Sequence, residues 1–138
     1  MRYLADTNLF LDIISKDFIS KDVRAILEDY ENVFYISSES VKEFIHLAQK
    51  GKISLMKELE ILHIFDFIEK RMGFKVKFVT KEHLRTMTLL ELFKEHNDPS
   101  DRLIISQAIT EGIPLISSDK VFKKYKSMGL ELILNIEK

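Results

Sequence analysis

The 138-residue sequence has no cysteine, only four glycines and only two prolines. Without cysteine there is neither a disulfide framework nor a thiolate metal site, which is compatible with the cytoplasmic location that we expect. So few glycines and prolines leave little of the chain for linkers. No apolar run approaches the roughly 18 residues of a membrane span, and the N-terminus has no charged-then-apolar signal pattern. We therefore expect no contact with a membrane.

An excess of charge of one sign is also missing, because 21 basic residues balance 22 acidic ones to a net charge of −1. This balance alone neither favours nor excludes nucleic acid as a partner. Four acids gathered in a metal site would, however, leave a mildly basic surface around it. The motifs GxxxxGK[ST], GxGxxG, GxSxG and HExxH are absent as well. The chemistry must therefore come from other residues.

Short apolar runs alternate with helical patterns along the chain. Five runs are typical of buried strands: RYLA (2–5), VFYI (33–36), KVKFV (75–79), IPLIS (113–117) and LELILNI (130–136). Strands separated by helices predict a parallel sheet with crossover helices. A chain of 138 residues is long enough for one domain with a real core. We therefore predict a single α/β domain over residues 1–138 with about five strands.

Helices are predicted where apolar residues recur three and four positions apart. The two patterns between Ser40 and Arg71 indicate a helical hairpin inserted in the alternation. A weaker pattern that begins at Leu84 could break partway. The apolar positions, in chain order, are Val23, Ile26, Leu27 and Tyr30; Val41, Phe44, Ile45 and Ala48; Leu55, Leu59, Leu62, Phe65 and Ile68; Leu84, Met87, Leu90 and Phe93; Ile104, Ala108 and Ile109.

Four acidic residues stand where a parallel sheet would bring them together. Asp6 ends the first predicted strand, and Asp119 follows the fourth. Glu43 and Asp101 lie near the starts of helices, which are expected close to the carboxyl ends of strands. Open α/β sheets bind their ligands at that edge. We therefore predict that the four carboxylates converge on one rim of the sheet.

Two of these acids fit a purely structural role equally well. Ser40 and Glu43 match a capping box, in which the glutamate bonds back to the cap residue. Asp98 followed by proline is a standard helix start, and an acid such as Asp101 in the first turn suits the helix dipole. The spacing within each motif does not separate the structural role from the functional one.

The joint placement of the acids favours function. Asp6 could simply begin a turn, and Asp119 could cap a short helix. Crowded carboxylates, however, repel one another unless a cation or raised pKa values accommodate them. An all-oxygen site suits Mg²⁺ or Mn²⁺, as one ion or two. Such ions polarise phosphoryl oxygens and activate water, so the site predicts phosphodiester hydrolysis.

Histidine and lysine supply weaker candidates. The four histidines have no metal-ligand spacing, and we do not expect catalysis from the one nearest the predicted site, His96. The lysine clusters QKGK (49–52) and KVFKKYK (120–126) could contact phosphates. An ordinary solvated face is the simpler interpretation of both clusters.

Three blocks of the chain match a known family in order and spacing: DTNLFLD at 6–12, SSESVKEF at 37–44 and HNDPSDRLIISQAITEGIPLISSD at 96–119. Over nearly its whole length the chain resembles PIN-domain ribonucleases, and it is most similar to the toxin subunit of VapBC-type toxin–antitoxin pairs. The resemblance implies a three-layer α/β/α sandwich on a parallel sheet. It also implies a Mg²⁺- or Mn²⁺-dependent endoribonuclease that acts on RNA, forms a homodimer and is held inactive by a small antitoxin.

The resemblance assigns roles to individual positions. The family's four acids fall on Asp6, Glu43, Asp101 and Asp119, which are predicted to bind the metal and carry catalysis. Three supporting positions also match: Asn8, Ser117 and Asp98. On this interpretation Asp6 ends its strand because it holds a metal ion, and Asn8 helps to start the helix behind it. The chain departs from the common HRDPFDR block at Asn97 and Ser100, which affects RNA contacts more than the metal site.

Two other functions stay open at this point. A receiver-like or phosphatase-like domain would also bind Mg²⁺ through an aspartate at a strand end. It would need a second acid beside that aspartate or two residues on, where this chain has Asn8. A non-catalytic binding module on the same fold would be expected to have lost one of the four acids.

Overall fold

The computed structural model describes residues 1–52 and 60–137. Its centre is a five-stranded parallel sheet in the order β3-β2-β1-β4-β5. The strands are β1 (Arg2–Ala5), β2 (Val33–Ser37), β3 (Lys75–Lys77), β4 (Leu115–Ser117) and β5 (Leu132–Leu134). Each strand overlaps a predicted apolar run. The predicted α/β class with a parallel sheet is confirmed.

Six α-helical elements are described: α1 (Thr7–Ser15), α2 (Lys21–Glu28), α3 (Ser38–Gln49), α4 (Ile64–Asp66), α5 (Lys81–Leu89) and α6 (Pro99–Glu111). A 3₁₀ turn at Ile61–His63 precedes α4, and a π-helical turn at Phe67–Arg71 follows it. A longer 3₁₀ segment, Lys120–Met128, joins β4 to β5. No helix in these described parts of the chain is both long and apolar enough to cross a membrane.

The sheet separates two apolar cores. Successive residues of a strand point to opposite faces. Ala5 and Ile116 therefore pack with α1, α2, α3 and the segment around α4, whereas Leu4 and Leu115 pack with α6 and the 3₁₀ segment. Helix α5 packs on α6. Helices thus cover both faces, as parallel sheets require, and the predicted three-layer arrangement is confirmed.

The direction in which the chain adds strands reverses beside the central strand. After β1 the chain moves outward through β2 to β3, and it then crosses back to place β4 and β5 on the other side of β1. In open α/β sheets such a reversal lies beside the ligand site, beyond the carboxyl ends of the strands. Here the reversal lies between β1 and β4.

The predicted apolar face of α2 is wrong at Tyr30, which is fully exposed. The helix ends at Glu28 because Asp29 takes an extended conformation and begins a turn. In that turn the Asp29 carboxylate accepts a hydrogen bond from the Glu31 N–H at 2.9 Å. Val23, at the start of the same pattern, is buried as predicted.

The pattern that precedes β3 is also partly wrong. Leu62 and Phe65 are 84% and 40% exposed, whereas Ile64 and Ile68 are buried. Residues 61–71 change from 3₁₀ to α to π geometry, so their side chains do not follow a 3.6-residue repeat. Two further predicted positions lie outside the described residues: Leu55 and Leu59.

The remaining helical patterns fit the structure better. Val41 and Phe44 of α3 are buried, as are Ile104 and Ala108 of α6. The weak pattern does break, because α5 ends at Leu89 and residues 90–98 are not helical.

Candidate functional site

The predicted site residues lie around the carboxyl ends of β1, β2 and β4. Asp6 directly follows β1, and Asp119 lies two residues beyond β4. Glu43 lies in α3, which follows β2 without a loop. Asp101 lies in the first turn of α6. This rim includes the reversal in strand order between β1 and β4.

Asp6 is buried, with 2% of its surface exposed. It is the N-cap of α1, and its Oδ1 accepts a hydrogen bond from the Leu9 N–H at 2.8 Å. Its Oδ2 accepts one from the Ser117 hydroxyl at 2.5 Å. Asn8 does not start the helix as predicted: it is exposed in the first turn, because the cap position is already taken by Asp6.

Ser117 connects Asp6 and Asp119 through two hydrogen bonds. Its buried hydroxyl donates to Asp6 and accepts a hydrogen bond from the Asp119 N–H at 3.0 Å. The Asp119 carboxylate accepts from the Val121 N–H at 2.9 Å and caps the 3₁₀ segment. The structural role foreseen for Asp119 is therefore present, and its second carboxylate oxygen makes no hydrogen bond within residues 1–52 and 60–137.

The predicted capping box of Ser40 and Glu43 is wrong. The N-cap of α3 is Ser37, whose hydroxyl accepts from the Glu39 N–H at 3.0 Å. Ser40 lies inside the helix and its hydroxyl is 2.7 Å from that of Thr7. Glu43 therefore lies in the second turn of α3, exposed, where it has no capping role.

The start of α6 follows the prediction. Asp98 is the N-cap, Pro99 is the first helical residue, and Asp101 is the third. The Asp98 carboxylate accepts from the N–H groups of Ser100 and Asp101 at 2.8 and 3.3 Å. Asp98 thus fixes the first turn of α6, and Asp101 in that turn is half-buried, with 33% of its side chain exposed.

Charge and burial act together on the Asp6 carboxyl. Burial is the largest effect and raises the pKa of Asp6 to about 7. The hydrogen bonds from Ser117 and Leu9 oppose that rise, and the negative charges of Asp101 and Asp119 add to it. Asp6, Asp101 and Asp119 are therefore close enough to repel one another.

Burial and neighbouring negative charges also raise the pKa values of Glu43 and Asp101. Burial raises the pKa of Glu43, and the charges of Asp101 and Asp98 raise it further. Burial also raises the pKa of Asp101, with a contribution from Asp98, while the His96 side chain acts in the opposite direction. The rim thus holds a run of carboxylates whose mutual repulsion a cation would relieve.

The donor set fits a hard cation bound largely through water. Across the described ranges, 1–52 and 60–137, no three histidine, cysteine, aspartate or glutamate side chains converge closely enough to enclose a metal ion. A closed ligand cage is therefore not preformed. Mg²⁺ needs none, because it dehydrates reluctantly and is usually held by one or two carboxylates and several waters. Two carboxylates of this rim, such as those of Asp6 and Asp101, would suffice to hold such an ion.

Three contacts at the rim escaped the sequence analysis. The buried His96 lies 3.3 Å from the Asp101 carboxylate through its Nε2. The Ser100 hydroxyl donates to Glu39 at 3.3 Å and so joins the first turns of α6 and α3. The third contact is the Thr7–Ser40 pair described above. Only His96 carried a signal in the sequence, its position two residues before the Asp98 cap.

The comparisons with known proteins agree with this architecture. The family model described as "PIN domain" matches residues 3–127. The chain belongs to the PIN domain family. A search of curated proteins gives no match.

Solved structures share the fold of this PIN domain at low sequence identity. VapBC2 from Rickettsia felis, bound to a promoter DNA fragment, is 23% identical with a TM-score of 0.73, over 97% of this chain and 98% of that one. DNA-bound VapBC from Salmonella typhimurium is 17% identical with a TM-score of 0.66, over 99% of both chains. VapBC-1 from nontypeable Haemophilus influenzae is 16% identical with a TM-score of 0.65, over 97% and 98%.

The titration of Asp6 makes the metal-free stability of this PIN domain depend on pH. The folded pKa of about 7 lies well above the ordinary value of 3.8. Between those values the folded state holds more protons than the unfolded state, so stability falls as the pH rises. At about 1.4 kcal/mol per pKa unit, the loss from pH 5 to pH 8 is at most about 3 kcal/mol. Asp6→Asn lacks this titration, and asparagine still caps α1.

We expect the stability of Asp6→Asn relative to wild type to rise by up to about 3 kcal/mol from pH 5 to pH 8 in EDTA. Urea unfolding of both proteins at the two pH values measures it. Added Mg²⁺ should narrow the difference at pH 8. Asp66→Asn, which removes an exposed carboxylate, is the charge-matched control. A difference between Asp6→Asn and wild type that is equal at pH 5 and pH 8 would contradict the buried, proton-holding carboxyl.

Proposed function

We propose that this PIN domain, spanning residues 1–138, is a metal-dependent endoribonuclease and the cytoplasmic toxin of a toxin–antitoxin pair. The observation that carries the proposal is the buried Asp6 carboxyl beside Asp101 and Asp119, whose charges raise its pKa further. Such a carboxyl either keeps a proton near neutral pH or binds a cation. The family membership favours the cation, and the fold shared with VapBC structures supports the toxin assignment.

Each acid has a distinct part in the proposed reaction. Asp6 and Asp101 would bind one Mg²⁺ or Mn²⁺, while Asp119 and Glu43 would orient its waters or complete a second position. When bound, the cation polarises a phosphoryl oxygen and activates water near neutral pH. Ser117 holds the Asp6 carboxylate in place and Asp98 holds the first turn of α6. Glu43, which is exposed and whose side chain contacts that of Thr7, would face the substrate.

Glu43→Gln separates the proposed role from a structural one, since Ser37 rather than Glu43 caps α3. We expect the free energy of unfolding to change by no more than about 0.5 kcal/mol. RNA cleavage should fall by orders of magnitude, because the substitution removes a charge beside the cation. Thermal unfolding and cleavage of labelled RNA, in Mg²⁺ and in EDTA, provide the measurements.

Two results would overturn this assignment. Equal cleavage by wild type in Mg²⁺ and EDTA would exclude the metal mechanism. Wild-type cleavage rates for Glu43→Gln would remove Glu43 from the site. Glu82→Gln, on the exposed side of α5 where Glu82 pairs with Arg85, is the matched control and should cleave like wild type.

A row of lysines begins directly after Asp119 and supports RNA as the substrate. In a 3₁₀ helix side chains repeat every three residues, about 6 Å apart. Lys120, Lys123 and Lys126 therefore share one face of the 3₁₀ segment, and all three are exposed. Within the described residues none of the three forms an ion pair. Lys124 points in another direction, where its ammonium pairs with Glu95 and lies over the Phe93 ring.

We expect this lysine row to bind RNA phosphates. Lys123→Ala should weaken RNA binding and reduce the slope of log affinity against log salt by roughly 0.7, the value for one single-strand phosphate contact. Lys124→Ala changes the net charge equally and should leave the slope unchanged. Binding of labelled RNA in EDTA, over a series of salt concentrations, measures both variants. Equal slopes for the two variants would identify the row as a solvated face.

We infer that the protein forms a homodimer and binds a small antitoxin protein. The fold match to VapBC complexes supports the partner, and several large apolar side chains exposed on or after α5 support further contacts: Leu84, Leu89 and Leu92. Light scattering should give a dimer at micromolar concentration, and a larger complex with the product of the adjacent gene. A monomer under both conditions would contradict the inference.

A further inference from the structure

His96 connects Asp101 to the 3₁₀ segment through two hydrogen bonds. Its Nε2 lies 3.3 Å from Asp101 Oδ2, and its Nδ1 lies 2.7 Å from the Tyr125 hydroxyl oxygen. The imidazole is buried and packs edge-on against the rings of Phe122 and Tyr125, with centroids 5.2 and 5.4 Å away. The ring therefore has little freedom to turn.

The donor in each of these hydrogen bonds follows from the groups that face the two ring nitrogens of His96. The single hydroxyl proton of Tyr125 has two acceptors in reach, His96 Nδ1 at 2.7 Å and the His96 carbonyl at 3.4 Å. Donation to Nδ1 leaves the proton of a neutral imidazole on Nε2, facing Asp101. A charged imidazole would also carry a proton on Nε2. A tautomer without a proton on Nε2 would place the nitrogen lone pair against the Asp101 carboxylate, which is unfavourable. Asp101 Oδ2 therefore accepts a hydrogen bond from His96 Nε2, whether the imidazole is neutral or charged.

We propose that His96, held by Tyr125, is the positioning residue for Asp101. It occupies Oδ2 and directs Oδ1, which accepts no hydrogen bond within residues 1–52 and 60–137, toward the rim. Because Tyr125 lies on the segment that Asp119 caps, the same chain of hydrogen bonds sets the position of Asp101 relative to Asp119. The inference rests on the proposed function, since Asp101 is taken as a metal ligand.

Hydrogen bonds to a ligating carboxylate are known to tune metal affinity. Loss of such an outer partner typically costs 10- to 100-fold in affinity or activity. His96→Phe keeps a ring between Phe122 and Tyr125 but removes the donor to Asp101. His96→Gln keeps a donor that can reach the same carboxylate. Tyr125→Phe removes the hydroxyl that holds the imidazole and that the Arg102 side chain also contacts.

The experiment is calorimetric titration of Mn²⁺ into wild type and these variants without RNA, together with thermal unfolding in EDTA. We expect His96→Phe to lose about tenfold or more in Mn²⁺ affinity, with partial recovery in His96→Gln and a smaller loss in Tyr125→Phe. Tyr3→Phe is the matched control. Tyr3 packs in the opposite core and its hydroxyl donates to the Met1 sulfur at 3.6 Å, so the Mn²⁺ affinity of this variant should equal that of wild type.

The outcomes separate this inference from the proposed function. Tyr125→Phe removes one oxygen and keeps both ring contacts, so it remains informative if the His96 variants do not fold. Wild-type Mn²⁺ affinity in the folded variants would overturn the positioning role and leave the nuclease proposal intact. Mn²⁺ binding by wild type without RNA cleavage would overturn the nuclease proposal, while the variant affinities still decide the role of His96. No Mn²⁺ binding by wild type would overturn both.

Discussion

The buried carboxylate of Asp6 is the constraint around which the rim of the sheet is built. It caps α1 and accepts the Ser117 hydroxyl, so one side chain ties the end of β1 to the end of β4. The same burial that fixes its position makes its ionised form costly and raises its pKa to about 7. A proton or a cation must offset that cost near neutral pH. The charges of Asp101 and Asp119 increase that cost, because each repels the ionised Asp6 carboxylate.

The rim is assembled from helices on both faces of the sheet. Glu43 comes from α3 on one face, and Asp101 comes from α6 on the other. The hydrogen bond between Ser100 and Glu39 joins the first turns of these helices, and the Thr7–Ser40 pair joins α1 to α3. These contacts are short-range and polar, so they fix the helix starts without filling the rim with apolar side chains. The acids are thereby held near one another while water can still reach the rim.

Much of this arrangement could be predicted from the sequence, because it depends on periodicity and on a topological rule. Apolar runs separated by helical patterns imply parallel strands, and the carboxyl ends of parallel strands share one edge. These two rules were sufficient to predict that Asp6 and Asp119 lie close together and that helices cover both faces of the sheet. The start of α6 was equally predictable, since Asp98 and the following proline specify a helix start within three residues.

Features decided by competing local signals or by distant contacts were not predictable. Residues 37–40 include three serines that could each be the N-cap of α3. Because β2 continues into α3 without a loop, the N-cap is Ser37, the last residue of β2, rather than Ser40. The exposed Tyr30 follows from the Asp29 turn, which competes with the helical pattern. The role of His96 depends on Tyr125, which is 29 residues away in sequence. No local pattern carries that information.

The four acids differ in burial, and this difference suggests how a site without a preformed metal cage can work. Asp6 is almost completely buried, Asp101 is about one-third exposed, Asp119 is partly buried and Glu43 is exposed. The buried acid is rigid, since backbone and hydroxyl donors occupy its oxygens. The exposed acid, Glu43, faces solvent and contacts the Thr7 side chain. A hard cation that retains several waters needs one rigid carboxylate ligand more than a complete set of protein ligands. Under the proposed function, RNA would approach the exposed side of the rim, where Glu43 lies, without displacing a buried side chain.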